Sequence, residues 1–322
     1  MSTVTKKAVG KAARRPIDTT PLHSVFDIEE GAPLIVSCGM GVDSVAMIVR
    51  LHREGVPISA ILFADTGGEK PETYAYIGVL DEWLRSKNLP KVERVAYRQS
   101  HGRYDTLAGN CIANQMLPSL AYGGRGCSGK FKHEPLDGHV LGKSRGPWKG
   151  GGLPCALEAK AKGLPIYRAI GYDAGPKDAR RANIPDDRHF RYVYPLREFG
   201  MDRIECMAEI IRAGLPVPIK SACTFCPASK PAELIWLHAL HPDLFMQALE
   251  IEAVAAPKLT VVQGLWRKAT KTRPGSWTEW AIREGMAERD EQGVVSLIPH
   301  VGPLPRHPDE IEADRVRGTM AA

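Results

Sequence analysis

The chain has 322 residues, 43% of them hydrophobic and 25% charged, an ordinary globular composition that excludes a collagen-like, coiled-coil or wholly disordered chain. No apolar run approaches the ~20 residues that cross a bilayer, and the basic start leads into no apolar signal core, so a cytoplasmic location is expected. The net charge is +6, but Lys6, Lys7, Lys11, Arg14 and Arg15 supply five of those charges; the remainder is nearly neutral and argues only for local basic patches, not for a global nucleic-acid surface.

Residues 1–30 are polar, basic and without a sustained period, which reads as a mobile arm. Leu34 to Ser37 is a short apolar strand, followed by a Gly-containing turn and a helical pattern with Val42, Val45, Ala46 and Val49 on one face. A second buried strand is expected from Ile58 to Ala64, then a helix from Pro71, which suits the first helical turn, to Arg85. Val92 to Tyr97 completes a β-α-β-α-β series, for which a parallel sheet with right-handed crossovers is the default. From His101 to Gly163 the pattern weakens among many glycines. Tyr167 to Tyr172 and Arg191 to Leu196 read as further strands, and Met201 to Ala213 as a helix stopped by Gly214. Helical spacing returns at Ala232–Leu240, Pro242–Val254 and Trp277–Glu288, and the Pro-rich and charged end after Pro299 reads as loop and tail. The expected organisation is an arm (1–30), an α/β unit (31–215) and a mainly helical segment with a Cys-X-X-Cys pair (216–322).

The strongest chemical feature is Ser37-Cys38-Gly39-Met40-Gly41-Val42-Asp43-Ser44, placed between a strand and a helix. Glycines permit a tight turn, and the helix start offers unpaired N–H groups and a positive dipole end to a phosphate. It is neither a Walker A loop, lacking Gly-Lys-Ser/Thr, nor a Gly-X-Gly-X-X-Gly dinucleotide turn. An ordinary strand-to-helix turn with Asp43 near the N-cap is the plainer alternative. The seven cysteines, an odd number without an export signal, favour free thiols, a metal site or redox chemistry over a disulfide frame.

Gly39 to Ser44 resembles the PP-loop of the adenine-nucleotide α-hydrolase superfamily, usually Ser-Gly-Gly-X-Asp-Ser. Phe63-Ala64-Asp65-Thr66-Gly67 with Pro71-Glu72-Thr73-Tyr74 is similar to the second motif of its PAPS reductase-like branch. The resemblance continues through Gly126-Cys127-Ser128 with Lys132 and Pro135, Ile170-Gly171-Tyr172-Asp173 with Arg180 or Arg181, and Lys220 to Pro227. Gly39 and Met40 depart from the usual Ser and Gly, which leaves Ser37 as the substitute hydroxyl. The resemblance implies a doubly wound, Rossmann-like sheet that binds ATP and Mg²⁺ at the carboxyl strand ends and cleaves between the α and β phosphates. It implies that Ser37, Gly39, Met40, Gly41, Val42 and Ser44 cradle the polyphosphate, Asp43 places Mg²⁺, Asp65, Thr66, Gly67 and Gly171 lie by the nucleotide, and Arg180 and Arg181 neutralise phosphate. For the arginine pair a solvated surface is an equal alternative.

Sulfonucleotide reductases of this superfamily use a carboxyl-terminal cysteine nucleophile, but no cysteine follows Cys226. Cys127, Cys223 and Cys226 instead resemble the iron-sulfur cysteines of relatives linked to DNA phosphorothioation and RNA thiolation, with Cys111 as a candidate fourth ligand. A 4Fe-4S cluster is the first expectation, with reduced thiols without metal and zinc with a histidine such as His133 as the alternatives. Lys130, Lys132 and Lys220 are expected to favour the thiolates. Cys38 lies in the loop, and Cys155 and Cys206 read as small buried hydrophobes. Lys130, Lys132, Lys143, Arg145 and Lys149 with Trp148, or Lys258, Arg267, Lys268, Lys271 and Arg273 with Trp266, could receive a polynucleotide and a stacked base; a solvated face or an ATP-neutralising rim is at least an equal alternative. Trp277 and Trp280 read as core. The functional expectation is an ATP pyrophosphatase acting in sulfur transfer or nucleic-acid modification. Its rival is a catalytically weak nucleotide-binding accessory protein, such as those at CRISPR or mobile-element loci.

Overall fold

The structure is a computed structural model that describes residues 23–99, 102–143 and 148–321. The basic arm through Arg15, and Arg145 of the central basic stretch, lie outside the described residues.

Five parallel strands form one sheet in the order β3-β2-β1-β4-β5: β1 Leu34–Ser37, β2 Ala60–Asp65, β3 Val92–Ala96, β4 Ile166–Ile170 and β5 Phe190–Val193. The apolar runs explain this, because both faces of the central strands are covered. Leu34 and Val36 pack with helix α1, Val42–Arg53, and helix α2, Pro71–Ser86, on one side. Ile35, Leu62 and Ile166 pack with helices Glu134–Leu141 and Pro154–Ala161 on the other. This is the doubly wound α/β architecture expected from the sequence.

After β3 the chain returns across the sheet, and β4 lands beside β1 rather than beside β3. The strand order therefore reverses between β1 and β4, and the carboxyl ends of these two strands open a crevice there. The segment between β3 and β4 starts with helix α3, Leu107–Asn114, capped by Thr106, whose side chain accepts from the Gly109 N–H at 3.1 Å. It continues through a short π-helical stretch, Gly129–His133.

A separate apolar cluster joins Leu107, Cys111 and Phe131 of this segment to Phe225 of the Cys-X-X-Cys turn and to Phe245, Trp277 and Trp280 of the carboxyl-terminal helices. Trp277 and Trp280 are core residues, as expected. Two elements differ from the sequence reading. Ala287–Arg289 and Val295–Leu297 form an antiparallel hairpin, in strands too short to leave a period. The final residues, read as a tail, form a helix over Pro308–Ala321 packed on the helix Arg203–Arg212. Only Ala313 and Val316 of it are buried, so it carried no apolar stripe to read.

Among the described residues no helix is long and apolar enough to cross a membrane.

Candidate functional site

Ser37 ends β1, and the chain turns through Cys38 to Gly41 into α1, whose N-cap is Gly41. Met40 sits at φ 60°, a left-handed conformation that costs a non-glycine residue roughly 1–2 kcal/mol. Its side chain is fully buried in the core beside α1, and burying a Met contributes about 1.5–3 kcal/mol in return. Met40 and the equally buried Val42 can thus offer a ligand only backbone groups. The Ser44 hydroxyl donates to Gly41 O at 3.0 Å and accepts from the Gly39 N–H at 3.2 Å, closing the loop. Gly39 is exposed, with no atom within 4 Å of where a Cβ would stand. Gly171 is the opposite case: a Cβ there would come within 3.1 Å of Ser44 N and Cα, so glycine lets the end of β4 lie against the start of α1. Burial pushes the Cys38 thiol up to about 11, leaving it a neutral packing group.

Asp43, in the first turn of α1, meets Asp173 and Asp178 from the segment after β4, Asp178 in the short helix Pro176–Ala179, their ligand oxygens all within 4.8 Å of one another. Burial pushes the Asp43 carboxyl above its usual range, with Asp173 and Asp178 adding to the effect and Arg203 opposing it. Three carboxylates in one place suit a hard divalent cation. Asp178 carried no signal in the sequence, because nothing local ties it to a residue 135 positions away.

Arg181 pairs with Asp178 at 2.8 Å and lies over the Tyr172 ring; Arg180 is exposed. Arg203, which sequence reasoning missed, donates to Asp43 Oδ1 at 3.0 Å and to Asp309 Oδ1 at 2.9 Å.

Beside the loop, a cavity of about 140 Å³ is lined by Ser37, Gly39, Ile170, Tyr172, Lys132 and Arg168, among others. Arg168 is 3% exposed, is bound to Asp137 at 2.5 Å and keeps Nε and Nη2 without a partner. Among the described residues no carboxylate lines this cavity, so it favours an acceptor-rich or anionic ligand.

Asp65 ends β2, and its carboxylate accepts from Tyr74 Oη at 2.7 Å, the Gly67 N–H at 2.9 Å and Arg94 at 2.7 Å. Burial would raise its pKa, but these donors outweigh burial and hold it below the usual range. Asp65 thus organises the turn at the strand end. Gly67, at φ 70°, has the Thr106 side chain filling the space a Cβ would need, and Thr66 is buried with its hydroxyl 3.0 Å from Cys223 Sγ.

That contact leads to a second cavity, of about 250 Å³, lined by Cys127, Cys223 and Cys226 together. The strap Lys220–Cys226 is fixed to the β2 loop by Thr224 N donating to Gly68 O at 2.8 Å. Cys127 is held by Ser119, whose hydroxyl accepts from Cys127 N at 2.8 Å and lies 3.0 Å from Sγ. Cys111 does not line the cavity; burial, then the neighbouring Cys127, push its thiol up to about 12.

Among the described residues the carboxylate trio is the group of ligand atoms gathered within 4.8 Å, and the three cysteine sulfurs are not all that close to one another. The expected cationic activation of the thiols is corrected. Burial dominates and pushes Cys223 and Cys226 up, with Lys132 opposing it at both and Lys220 at Cys226. Lys130 points elsewhere, bonding the Tyr104 hydroxyl at 2.5 Å among the Tyr97, Tyr104 and Phe131 rings.

The two cavities share one residue, Lys132, whose Nζ lies 3.4 Å from the buried Glu69 carboxylate. Glu69 also accepts from Ser221 Oγ at 3.2 Å.

The aromatic residues flagged for base stacking are occupied. Trp148 is buried under Arg98, and Trp266 is buried, donates to Ser229 O at 2.7 Å and carries Arg273 on its face. Lys143, Lys149, Lys258, Arg267, Lys268 and Lys271 are exposed. Cys206 is buried as expected, whereas Cys155 is only half-buried.

No protein-family model matches this chain, and no curated protein sequence matches it. Among solved structures, U34-tRNA thiolase NcsA from Methanococcus maripaludis, determined with its 4Fe-4S cluster, is similar over 82% of this chain and 85% of its own, at 11% identity and a TM-score of 0.37.

Proposed function

We propose that the chain is an ATP pyrophosphatase that binds ATP with Mg²⁺ in the β1–β4 crevice and releases AMP and pyrophosphate, activating a substrate for sulfur transfer or nucleic-acid modification. The observation that carries this reading is the convergence of the Ser37–Ser44 loop, the Asp43–Asp173–Asp178 trio and a three-cysteine cavity around one strand-order reversal.

The backbone N–H groups at the start of α1 face the polyphosphate, with the helix dipole adding to their attraction. Ser37 and Ser44 add hydroxyl donors, Ser44 by exchanging its present bond within the loop for a phosphate oxygen. Asp43, Asp173 and Asp178 would hold Mg²⁺, whose charge offsets that of the departing pyrophosphate. The base and sugar extend toward Ile170, Tyr172 and Lys132. Arg181, over Tyr172, neutralises phosphate charge near Asp178, and the exposed Arg180 adds to the rim. Cys127, Cys223 and Cys226 would hold an iron-sulfur cluster whose fourth iron, without a protein ligand, supplies a place for sulfur.

The test is product analysis of ATP incubated with the chain and Mg²⁺. AMP and pyrophosphate are expected; ADP and phosphate would overturn the assignment. Asp43→Ala removes a metal ligand and Ser44→Ala a phosphate donor, each costing on the order of 1–3 kcal/mol of transition-state stabilisation. Unchanged turnover in Asp43→Ala would also sink it.

A further inference from the structure

Arg203 stands at the first position of its helix, just after Asp202, whose carboxylate caps Ile204 N at 2.9 Å and Glu205 N at 3.0 Å. A cation in a helix's first turn opposes the dipole, so helix stability does not account for it. What it does is join two carboxylates from distant parts of the chain. One guanidinium nitrogen reaches Asp43 of the phosphate loop at 3.0 Å and the other reaches Asp309 of the carboxyl-terminal helix at 2.9 Å. The second Asp309 oxygen accepts the Lys220 N–H at 2.7 Å. Lys220, Ser221 and Ala222 line the cysteine cavity, and Ser221 passes 3.8 Å from where a side chain on Gly41 would start. The phosphate loop and the cysteine strap are thus connected through one fork of two charge-assisted bonds.

We propose that Arg203 is a positioning residue that couples occupancy of the phosphate loop to the cysteine cavity, a role that rests on Asp43 belonging to the nucleotide site. A divalent cation arriving at Asp43, Asp173 and Asp178 competes with Arg203 for the Asp43 carboxylate. Arg203 then leans on Asp309 alone, and the Asp309–Lys220 bond carries the change into the strap that holds Cys223 and Cys226. Lysine in its place keeps the charge but lacks the fork that spans two carboxylates.

The test is the alkylation rate of the half-exposed Cys127 and Cys226 in the reduced full chain, read by mass spectrometry with and without saturating Mg-ATP, with nucleotide occupancy measured by equilibrium dialysis. Wild type should change its rate about fivefold on binding. Arg203→Lys and Asp309→Asn, which cut the connection at different points, should respond less than about twofold at full occupancy. Asp314→Asn, on the same helix but paired, among the described residues, with Arg306 and Arg317, should respond as wild type does. A wild type that binds Mg-ATP without any change, or an Arg203→Lys variant that responds fully, overturns the coupling. If wild type binds no ATP, the nucleotide reading fails and the connection is judged without ligand. Hydrogen exchange at the Lys220 amide must then accelerate in Asp43→Asn, and an unchanged rate refutes it.

Discussion

Two glycines of the nucleotide crevice separate what the fold needs from what a ligand needs. A methyl at Gly171 would press on the backbone of Ser44 at 3.1 Å, and backbone cannot swing aside as a side chain can. Gly171→Ala should therefore destabilise the chain by about 1–3 kcal/mol in urea unfolding. Gly39 has open space where its Cβ would go, so Gly39→Ala should leave stability within about 0.5 kcal/mol while lowering ATP affinity, because the methyl enters the volume assigned to phosphate. Equal stability loss in both variants would show that the crevice is packed differently. Asp65 supplies a pH test. Its carboxyl is held below the usual range, so the folded state binds its proton less readily than the unfolded state. The stability it contributes is present above the unfolded carboxylate pKa and is lost as pH falls through the lower folded value. Asp65→Asn should flatten that acid limb, checked by urea midpoints from pH 7 to pH 3; an unaltered pH profile would remove Asp65 from the turn's energetics.

The β-α-β-α-β series was legible because β1 and β2 are apolar runs buried on both faces and the edge strand β3 buries Val92 and Val95, and because Pro71 and the glycines before α1 mark helix starts. The carboxyl-terminal helix was not, since it is held by polar contacts at its entrance rather than by an apolar stripe. His307, just before it, is fully buried against Trp236, at a ring separation of 5.1 Å, and its Nδ1 accepts from the Asp309 N–H at 3.2 Å. Burial pushes its pKa down, with Lys70 adding to this, while Asp309, Glu233 and Glu310 oppose it. The unfolded chain therefore takes up the proton more readily, and the helix's docking should be intact above the usual histidine pKa and weaken as pH falls below it. One proton sets an upper slope of about 1.4 kcal/mol per pH unit. Hydrogen exchange across residues 308–321 should accelerate between pH 7 and pH 5, after correction for intrinsic rates, and His307→Asn should abolish the dependence. A flat profile in wild type would show that the ring protonates without leaving its site.

Across the whole molecule, the two cavities meet because of topology. The return from β3 to β4 carries Cys127 and Lys132 over the carboxyl end of the sheet, and the chain leaving the helix Arg203–Arg212 brings Cys223 and Cys226 to the same end. The motif cysteines could be grouped from a resemblance, and Asp43 and Asp173 each stand in a motif, whereas Asp178 and Arg203 stand in none and Arg203 meets its partners 106 and 160 positions away. The shared Lys132 predicts that cluster and nucleotide occupy adjoining sites. Anaerobic incubation with iron and sulfide should give stoichiometric uptake and visible charge-transfer absorption in wild type. Cys127→Ser, Cys223→Ser and Cys226→Ser should each abolish it, while Cys111→Ser, off the cavity wall, should retain it. Because burial keeps Cys223 and Cys226 protonated, uptake must release protons and should be faster at pH 8.5 than at pH 7. Loss of the cluster in Cys111→Ser would make the site four-coordinate by protein and close the iron assigned to sulfur. Wild type that takes up no iron but still releases pyrophosphate would leave a nucleotide hydrolase and remove the sulfur-transfer half of the proposal.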